Sequence, residues 1–152
     1  MNRMQHIAVI DDERESLAAI SRALRRVGYR VDSYEDSQAA MAQLDRFKQF
    51  DLVITDLKMP RVSGMELLRA VRSVNPEAGV LMVTGHGTVE TAVEAMRLGA
   101  DDYILKPLDL FELRDRVRQI LESRAPGAPG RDPAAPRHSR DPTRNLGGTP
   151  AL

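Results

Sequence analysis

The sequence predicts an α/β fold, a doubly wound (βα)5 unit in which helices cover both faces of a parallel sheet. Short apolar runs alternate five times with segments of helical periodicity. Three of the runs are continuous and rich in β-branched residues, as expected of strands that are buried on both faces. Because the connections between runs and helices are short, the alternation favours right-handed crossovers and a parallel sheet.

The five predicted strands are the short apolar runs. The second run, RVDSY, alternates apolar and polar residues, which is typical of an edge strand with one solvated face. A barrel needs about 250 residues, whereas this alternation spans about 120. The pattern therefore favours the flavodoxin-like sheet with strand order 2-1-3-4-5. The predicted strands cover residues 7–10, 30–34, 52–55, 80–83 and 103–105.

The segments between the strands place apolar residues at helical spacing, and turn-forming or capping residues mark their ends. The predicted helix ends are Gly28, Asn75-Pro76 and Gly99, and the predicted helix starts are Thr88 with Thr91, and Asp109 with Glu112. The residues predicted to face the core are Leu17, Ile20, Leu24 and Val27 in the first helix; Ala40, Met41, Leu44 and Phe47 in the second; Met65, Leu68 and Val71 in the third; Val89, Ala92, Val93 and Met96 in the fourth; and Leu113, Val117, Ile120 and Leu121 in the fifth.

The composition changes after residue 124. Residues 125–152 hold six of the nine prolines and almost no large apolar side chain, and their four arginines against two aspartates give them a net charge of +2. Such a segment cannot bury enough surface to offset its ordering entropy. We therefore predict one domain over residues 1–124 and a disordered Pro/Gly/Arg-rich tail or linker over 125–152. A solvated linker is favoured over a tail that binds an acidic partner.

The composition of the whole chain excludes several classes of function. Its 22 basic and 22 acidic side chains leave no net field to attract nucleic acid, an anionic membrane or an acidic substrate. Cysteine is absent, which excludes disulfides, thiolate metal sites and a cysteine nucleophile. No apolar stretch approaches the length of a signal-peptide core or a membrane span. We expect a cytoplasmic protein.

Polar side chains follow four of the predicted strands at their carboxyl ends, where doubly wound sheets bind ligands. Each of these residues alone is more simply interpreted as a structural feature without a function, such as a helix start, a turn or a solvated surface charge. Their coincidence at one edge of the sheet instead indicates a binding or catalytic site. They are Asp11 and Asp12 after the first strand, Asp56 after the third, Thr84 after the fourth and Lys106 after the fifth.

The three aspartates predict a magnesium site. Carboxylates brought together repel one another, and a hard divalent cation relieves the repulsion. Mg²⁺ takes one or two carboxylates with waters and phosphate oxygens, whereas a calcium cage needs more side-chain ligands. A zinc site would need His or Cys, and the three histidines are too scattered in the sequence to supply it.

With Mg²⁺ bound, one carboxylate can act as a nucleophile toward phosphorus. Asp56 is the predicted nucleophile because it follows the central strand, while the adjacent Asp11 and Asp12 are better suited to share the metal. Positioning and electrostatics supply most of the catalysis of phosphoryl transfer. Lys106 and Thr84, with nearby backbone N–H groups, would bind the phosphoryl oxygens that the metal leaves free.

Three segments, IAVIDDE, LVITDLKMPRVSGMELL and VLMVTGHGTVETAVEAMRLGADDYILKP, resemble the receiver domains of two-component response regulators. The resemblance spans about residues 5–122 and is strongest to receivers of nitrogen-regulation-type transcriptional activators. It implies that Asp56 is the phosphoacceptor. It also implies that Asp12 binds Mg²⁺ directly, together with Asp56 and the backbone carbonyl of Lys58.

The resemblance further implies how such a domain would switch. Thr84 would be the hydroxyl that turns toward the phosphoryl group, Lys106 its ion-pair partner and Tyr103 the aromatic that changes rotamer. Lys58 and His86, which border the site, would tune the lifetime of the phosphoryl group. The fourth helix, fifth strand and fifth helix would form the output face.

The implied partners are a histidine kinase or a histidine phosphotransfer protein and a downstream output domain or protein. A homodimer through the output face is also implied, and direct contact with nucleic acid or membrane is not expected. The receivers of nitrogen-regulation-type transcriptional activators are normally followed by an ATPase and a DNA-binding domain, which are missing from this chain. The chain is therefore expected to be either a stand-alone receiver or a receiver whose output domains lie outside this sequence.

Two other classes of function stay open beside the phosphoacceptor. The first is a pseudo-receiver, an interaction module with the fold but without the chemistry, and the presence of Asp56 and Lys106 speaks against it. The second is an enzyme on the same fold. It would need extra machinery, yet aromatic residues make up 4% of the chain, tryptophan is absent, and neither GxxxxGK[ST] nor GxSxG occurs. Turnover of an external substrate is therefore not predicted.

Overall fold

Five parallel strands form one sheet in the computed structural model, which describes residues 4–125. The strands are β1 His6–Ile10, β2 Arg30–Tyr34, β3 Leu52–Thr55, β4 Gly79–Thr84 and β5 Asp102–Leu105. They pair in the order β2-β1-β3-β4-β5, so the predicted fold and strand order are confirmed. The predicted tail lies outside the described residues apart from Ala125, and the division of the chain at residue 124 stays a prediction.

The register of the central strands brings the ends of β1 and β3 together. Ile10 pairs with Thr55, so the next residues, Asp11 and Asp56, leave the sheet side by side. Every residue of β1, β3 and β4 is buried, because helices cover both faces of these strands. β2 lies at the edge and buries only Val31, as its alternating sequence predicts.

The helices are α1 Arg14–Arg26, α2 Ser37–Ala42, α3 Gly64–Val74, α4 Val89–Arg97 and α5 Leu110–Arg124. Side chains of α1 and α5, such as Leu24 and Val117, share the core on one face of the sheet. Those of α2, α3 and α4, such as Leu68 and Ala95, share the core on the other face. Among residues 4–125, no helix combines the length and hydropathy needed to cross a membrane.

The predicted helix ends are confirmed by their backbone geometry. Gly28 and Gly99 follow α1 and α4 with φ of 102° and 106°, a left-handed conformation that glycine adopts without steric cost. The Asp109 side chain caps α5 by accepting the N–H groups of Phe111 and Glu112. These local signals fix where helices begin, at the carboxyl edge of the sheet, and where they end, at its opposite edge. The prediction that Val27 faces the core is wrong, because this residue lies just past the end of α1 and is 51% exposed.

The prediction of one long second helix is wrong. α2 ends at Ala42, and residues Leu44–Gln49 form a 3₁₀ helix instead. Phe47 is completely buried and packs edge-on against Phe50, with ring centroids 4.9 Å apart. The Asn75 amide donates to the carbonyl oxygens of both phenylalanines. Tertiary packing and this side-chain clamp therefore override the helical periodicity of the segment.

The predicted inward face of α4 is also wrong in part. Val89 is 78% exposed and Val93 is 41% exposed, whereas Ala95 is completely buried and Ala92 and Met96 are half-buried. The helix carries two apolar stripes, and periodicity alone does not decide which of them faces the sheet. The small alanines allow the helix to approach the sheet closely, so the stripe that contains them is the buried one.

Candidate functional site

Three carboxylates meet at the carboxyl ends of β1 and β3. Asp11 and Asp56 are buried, with 1% and 5% of their surface exposed, and Asp12 is exposed. One carboxylate oxygen from each lies within 4.8 Å of the others. The structure thus brings together the three aspartates that the sequence singles out.

Lys106 brings positive charge to this cluster from the end of β5. Its Nζ donates to Asp11 at 2.9 Å, to Asp56 at 3.1 Å and to Glu13 at 3.1 Å, which uses all three ammonium hydrogens. Burial is the largest single influence and lowers the pKa of Lys106, but the hydrogen bonds and charges of the carboxylates together raise it above its ordinary value. The lysine is therefore a fixed cation within the site.

Glu13 belongs to the site, although the sequence analysis did not single it out. Its carboxylate accepts from Ser16 at 2.6 Å and from Lys106 at 3.1 Å, and these hydrogen bonds lower its pKa. Burial raises the pKa of Asp11, against the opposing effect of the Lys106 hydrogen bond. The only sequence signal for Glu13 is its place directly after the aspartate pair, where an acidic residue is equally typical of a helix start.

Backbone amides orient the Asp56 side chain. Its Oδ1 accepts the N–H groups of Leu57 at 2.6 Å and Lys58 at 3.3 Å, while its Oδ2 accepts from Lys106. The Asp56 N–H donates to the Ile10 carbonyl oxygen at 3.0 Å. Both the backbone and the carboxylate of Asp56 are therefore fixed by the end of the sheet.

Gly64, the first residue of α3, lies against the backbone of Asp56. A Cβ atom at residue 64 would come within 2.1 Å of the Asp56 carbonyl oxygen and 2.8 Å of the Leu57 Cα. The Gly64 N–H donates to the Leu57 carbonyl oxygen at 2.7 Å. The absence of a side chain at residue 64 is therefore what allows α3 to approach the segment that carries Asp56.

We expect Gly64→Ala to lower the free energy of unfolding by about 1–3 kcal/mol, because backbone atoms must move to admit the extra methyl group. Urea unfolding followed by circular dichroism measures the change. Gly85→Ala is the matched control, since its Cβ would meet no atom closer than 3.8 Å. Equal unfolding midpoints for the two variants would contradict the packing argument.

Thr84 and Tyr103 lie on the neighbouring strands β4 and β5. Thr84 is completely buried, and its Oγ1 accepts the His86 N–H at 3.1 Å. Tyr103 is half-buried, and its hydroxyl oxygen lies 2.9 Å from Thr91 Oγ1. The structure places both side chains near the carboxyl edge of the sheet, and the switching role of each stays a prediction.

An open cleft of about 800 Å³ leads to the cluster. Asp12, Asp56 and Lys106 line it together with Lys58 and His86. The Lys106–Pro107 peptide bond beside it is cis. A small anionic group can therefore reach the buried carboxylate of Asp56 from solvent through this cleft, which Lys58 and Lys106 both line.

The fold and the site define a class of protein: a doubly wound α/β domain with clustered aspartates and a lysine at the carboxyl edge of its parallel sheet. The chain belongs to the response regulator receiver domain family, whose model matches residues 7–118. The resemblance to receiver domains that the sequence motifs indicate is thereby confirmed.

Similar proteins include regulators of transcription. The chain is 37% identical over 115 residues to the transcriptional regulatory protein ZraR of Salmonella typhimurium, an alignment that covers 76% of this chain and 26% of ZraR. A receiver domain from Clostridium thermocellum matches with 34% identity and a TM-score of 0.72, covering 78% of this chain and 94% of that one. NtrX from Brucella abortus matches with 31% identity and a TM-score of 0.74, covering 80% of this chain and 28% of NtrX. The chain therefore spans about a quarter of the length of ZraR and NtrX.

Proposed function

We propose that this domain is a phosphoacceptor in a two-component phosphorelay. It takes a phosphoryl group onto Asp56 from the phosphohistidine of a histidine kinase or a histidine phosphotransfer protein. The observation that carries the proposal is the meeting of Asp11, Asp12 and Asp56 within 4.8 Å of one another, with Lys106 Nζ 3.1 Å from Asp56. Membership of the receiver domain family supports it.

The donor set fits Mg²⁺. Asp11, Asp12 and Asp56 offer hard oxygen ligands that lie close together, and a divalent cation relieves the repulsion between carboxylates brought together in this way. These three aspartates would hold the ion, with the backbone carbonyl of Lys58 as a fourth ligand implied by the resemblance. When bound, Mg²⁺ would neutralise negative charge on the phosphoryl oxygens.

The chemistry that remains for the chain is substitution at phosphorus. The Asp56 carboxylate forms the new O–P bond while the N–P bond of the donor breaks, and the released imidazole nitrogen takes up a proton from solvent. The amides of Leu57 and Lys58 hold the nucleophile in place. The Lys106 ammonium group and the Thr84 hydroxyl then bind phosphoryl oxygens and stabilise their charge.

The proposed response is a change of surface on the side of α4, β5 and α5. Thr84 turns toward the phosphoryl group and Tyr103 changes rotamer. The face that would respond carries exposed apolar side chains, with Val89 78%, Leu105 56% and Phe111 80% exposed. Such a surface supports contact with a downstream output domain or protein in transcription regulation, or with a second copy of the chain.

Incubation with acetyl phosphate tests the proposal. With Mg²⁺ present, we expect the intact mass to increase by one phosphoryl group. Because a metal ion contributes several kcal/mol of charge stabilisation, chelation with EDTA is expected to slow this gain at least about 100-fold.

Excess Mg²⁺ added after EDTA should restore the rate, which controls for damage by the chelator. No mass gain with acetyl phosphate or with a panel of purified histidine kinases would overturn the proposal. The second candidate, a phosphorylation-independent interaction module, would then be the better description of the domain.

A further inference from the structure

The side-chain hydroxyl of Thr91 joins Tyr103 to the first turn of α4. The Tyr103 hydroxyl oxygen lies 2.9 Å from Thr91 Oγ1. Thr91 is also one half of the capping box that begins this helix. The Thr88 N–H donates to Thr91 Oγ1 at 2.8 Å, and the Thr91 N–H donates to Thr88 Oγ1 at 3.1 Å. One oxygen atom therefore serves both the helix cap and the tyrosine.

The hydrogen-bond inventory indicates which group donates. A threonine hydroxyl has one hydrogen to donate and two lone pairs that accept. Thr91 Oγ1 donates to the Thr88 carbonyl oxygen at 3.0 Å and accepts the Thr88 N–H. Two hydroxyl groups lie within reach of the remaining lone pair, the Tyr103 hydroxyl at 2.9 Å and Thr88 Oγ1 at 3.2 Å. Because the Tyr103 hydroxyl is the nearer of the two, we assign it as the donor to this lone pair. The Tyr103 hydroxyl thus completes the hydrogen bonding of Thr91 at the shorter of the two distances.

Gly87 leaves the space that Tyr103 occupies. A Cβ atom at residue 87 would lie 2.3 Å from the Tyr103 hydroxyl oxygen and 3.0 Å from its ring. The ring therefore lies against Gly87, which belongs to the loop between β4 and α4, residues 85–88. The same loop begins at Thr84, whose Oγ1 accepts the His86 N–H at 3.1 Å. A continuous set of contacts runs from the Thr84 hydroxyl through this loop to Tyr103 and the cap of α4.

The first turn of α4 has little packing to hold it. Val89 is 78% exposed and Val93 is 41% exposed, and the completely buried side chain of α4, Ala95, lies in its second half. Elements with few buried apolar contacts open at low free-energy cost. The cap made by Thr88 and Thr91 is therefore a main restraint on the start of this helix.

We propose that Thr91 is a positioning residue that holds Tyr103 in its resting place and links that place to the intact cap of α4. The inference rests on the proposed function, because Tyr103 has a distinct resting position only if phosphorylation changes the conformation of the domain. When Thr84 turns toward a phosphoryl group, its hydroxyl leaves the His86 N–H, and the loop, the cap and the tyrosine are released together. Loss of the Thr91 hydroxyl removes this restraint in advance and shifts the domain toward its phosphorylated conformation.

Thr91→Val tests the inference, because valine has the shape of threonine without its hydroxyl. The probe is beryllofluoride, added with Mg²⁺ as a mimic of the phosphoryl group, and 3-fluorotyrosine reports on the three tyrosines by ¹⁹F NMR. Tyr103→Phe assigns the Tyr103 signal by its disappearance. In Thr91→Val, we expect the resting Tyr103 signal to move toward its beryllofluoride-bound position. The half-saturating beryllofluoride concentration should fall about fivefold, the factor that one neutral hydrogen bond contributes to a two-state equilibrium.

Two variants separate the hydrogen bond from general destabilisation. Thr91→Ser keeps the hydroxyl, so its Tyr103 signal and its half-saturating beryllofluoride concentration should equal those of the native protein. Tyr103→Phe should also lower the half-saturating concentration, because it removes the bond between Tyr103 and Thr91 while it keeps the cap. The double variant should lower the concentration no further than Thr91→Val does, since the tyrosine bond is already absent in that variant.

The inference is overturned if Thr91→Val leaves the resting Tyr103 signal and the half-saturating concentration unchanged while the native protein responds to beryllofluoride. It is also overturned if Thr91→Ser behaves as Thr91→Val does. Failure of the proposed function has a different signature: the native protein itself would not respond to beryllofluoride in the presence of Mg²⁺, and both proposals would then be wrong.

Discussion

In the Asp56→Asn variant we expect phosphorylation by acetyl phosphate to fall at least about 1,000-fold, because loss of a nucleophile costs far more than loss of a positioning group. The amide keeps the shape of the carboxylate and can still accept the Leu57 N–H that now binds Oδ1 at 2.6 Å. It has no anionic oxygen to attack phosphorus. Intact mass against time in Mg²⁺ measures the rate.

Asp36→Asn is the matched control for this substitution. Asp36 lies at the start of α2, accepts the Gln38 N–H and has 44% of its side chain exposed, and asparagine caps a helix about as well as aspartate. Its rate of phosphorylation should equal that of the native protein. A phosphoryl group on Asp56→Asn, located on another residue by peptide mapping, would show that Asp56 is not the acceptor.

Asp101→Ala is expected to have the largest effect on stability, lowering the free energy of unfolding by about 3 kcal/mol, the scale measured when one partner of a buried ion pair is removed. Asp101 Oδ1 lies 2.8 Å from an Arg124 nitrogen, and its Oδ2 lies 3.2 Å from an Arg72 nitrogen. The same Oδ2 accepts the Val80 N–H at 2.8 Å. Alanine would leave two largely buried guanidinium groups without their carboxylate.

Urea unfolding measures the effect, and Asp115→Ala provides the comparison. Asp115 pairs with Arg118 on the surface of α5, where the side chains are 51% and 55% exposed. Exposed ion pairs contribute at most about 1 kcal/mol, so this variant should remain close to the native protein. An equal loss of unfolding free energy in Asp101→Ala and Asp115→Ala would show that the burial of the Asp101 ion pairs does not matter for stability.

The sequence predicts most of the fold because its strand signals are local. Continuous β-branched runs identify the buried strands, and the alternation in RVDSY identifies the edge strand at residues 30–34. One error is local, since Val27 lies just past the last turn of α1 and is exposed instead of facing the core. The other two concern elements whose form depends on distant partners. The second helix is shortened by the packing of Phe47 and the clamp from Asn75, and α4 turns Ala95 rather than Val93 toward the core.

The site is predictable to the extent that topology places it. Parallel strands bring their carboxyl ends to one edge, so residues that follow them can be gathered from the sequence alone. Contacts made by long side chains cannot be gathered in this way. Glu13 reaches Lys106 across 93 residues of sequence, and Asp101 reaches Arg72 across 29. Neither pair leaves a periodic or spacing signal in the chain.

The unequal burial of the strands and of α4 has a consequence for how this domain can change over generations. Asp11 and Asp56 directly follow β1 and β3, in which every residue is buried. Substitutions in these two strands therefore destabilise the fold. The outer stripe of α4, with Val89 and Val93, contributes little to folding and is free to vary. Under the proposed function, the surface that contacts a partner can therefore diversify while the phosphoacceptor site is inherited unchanged.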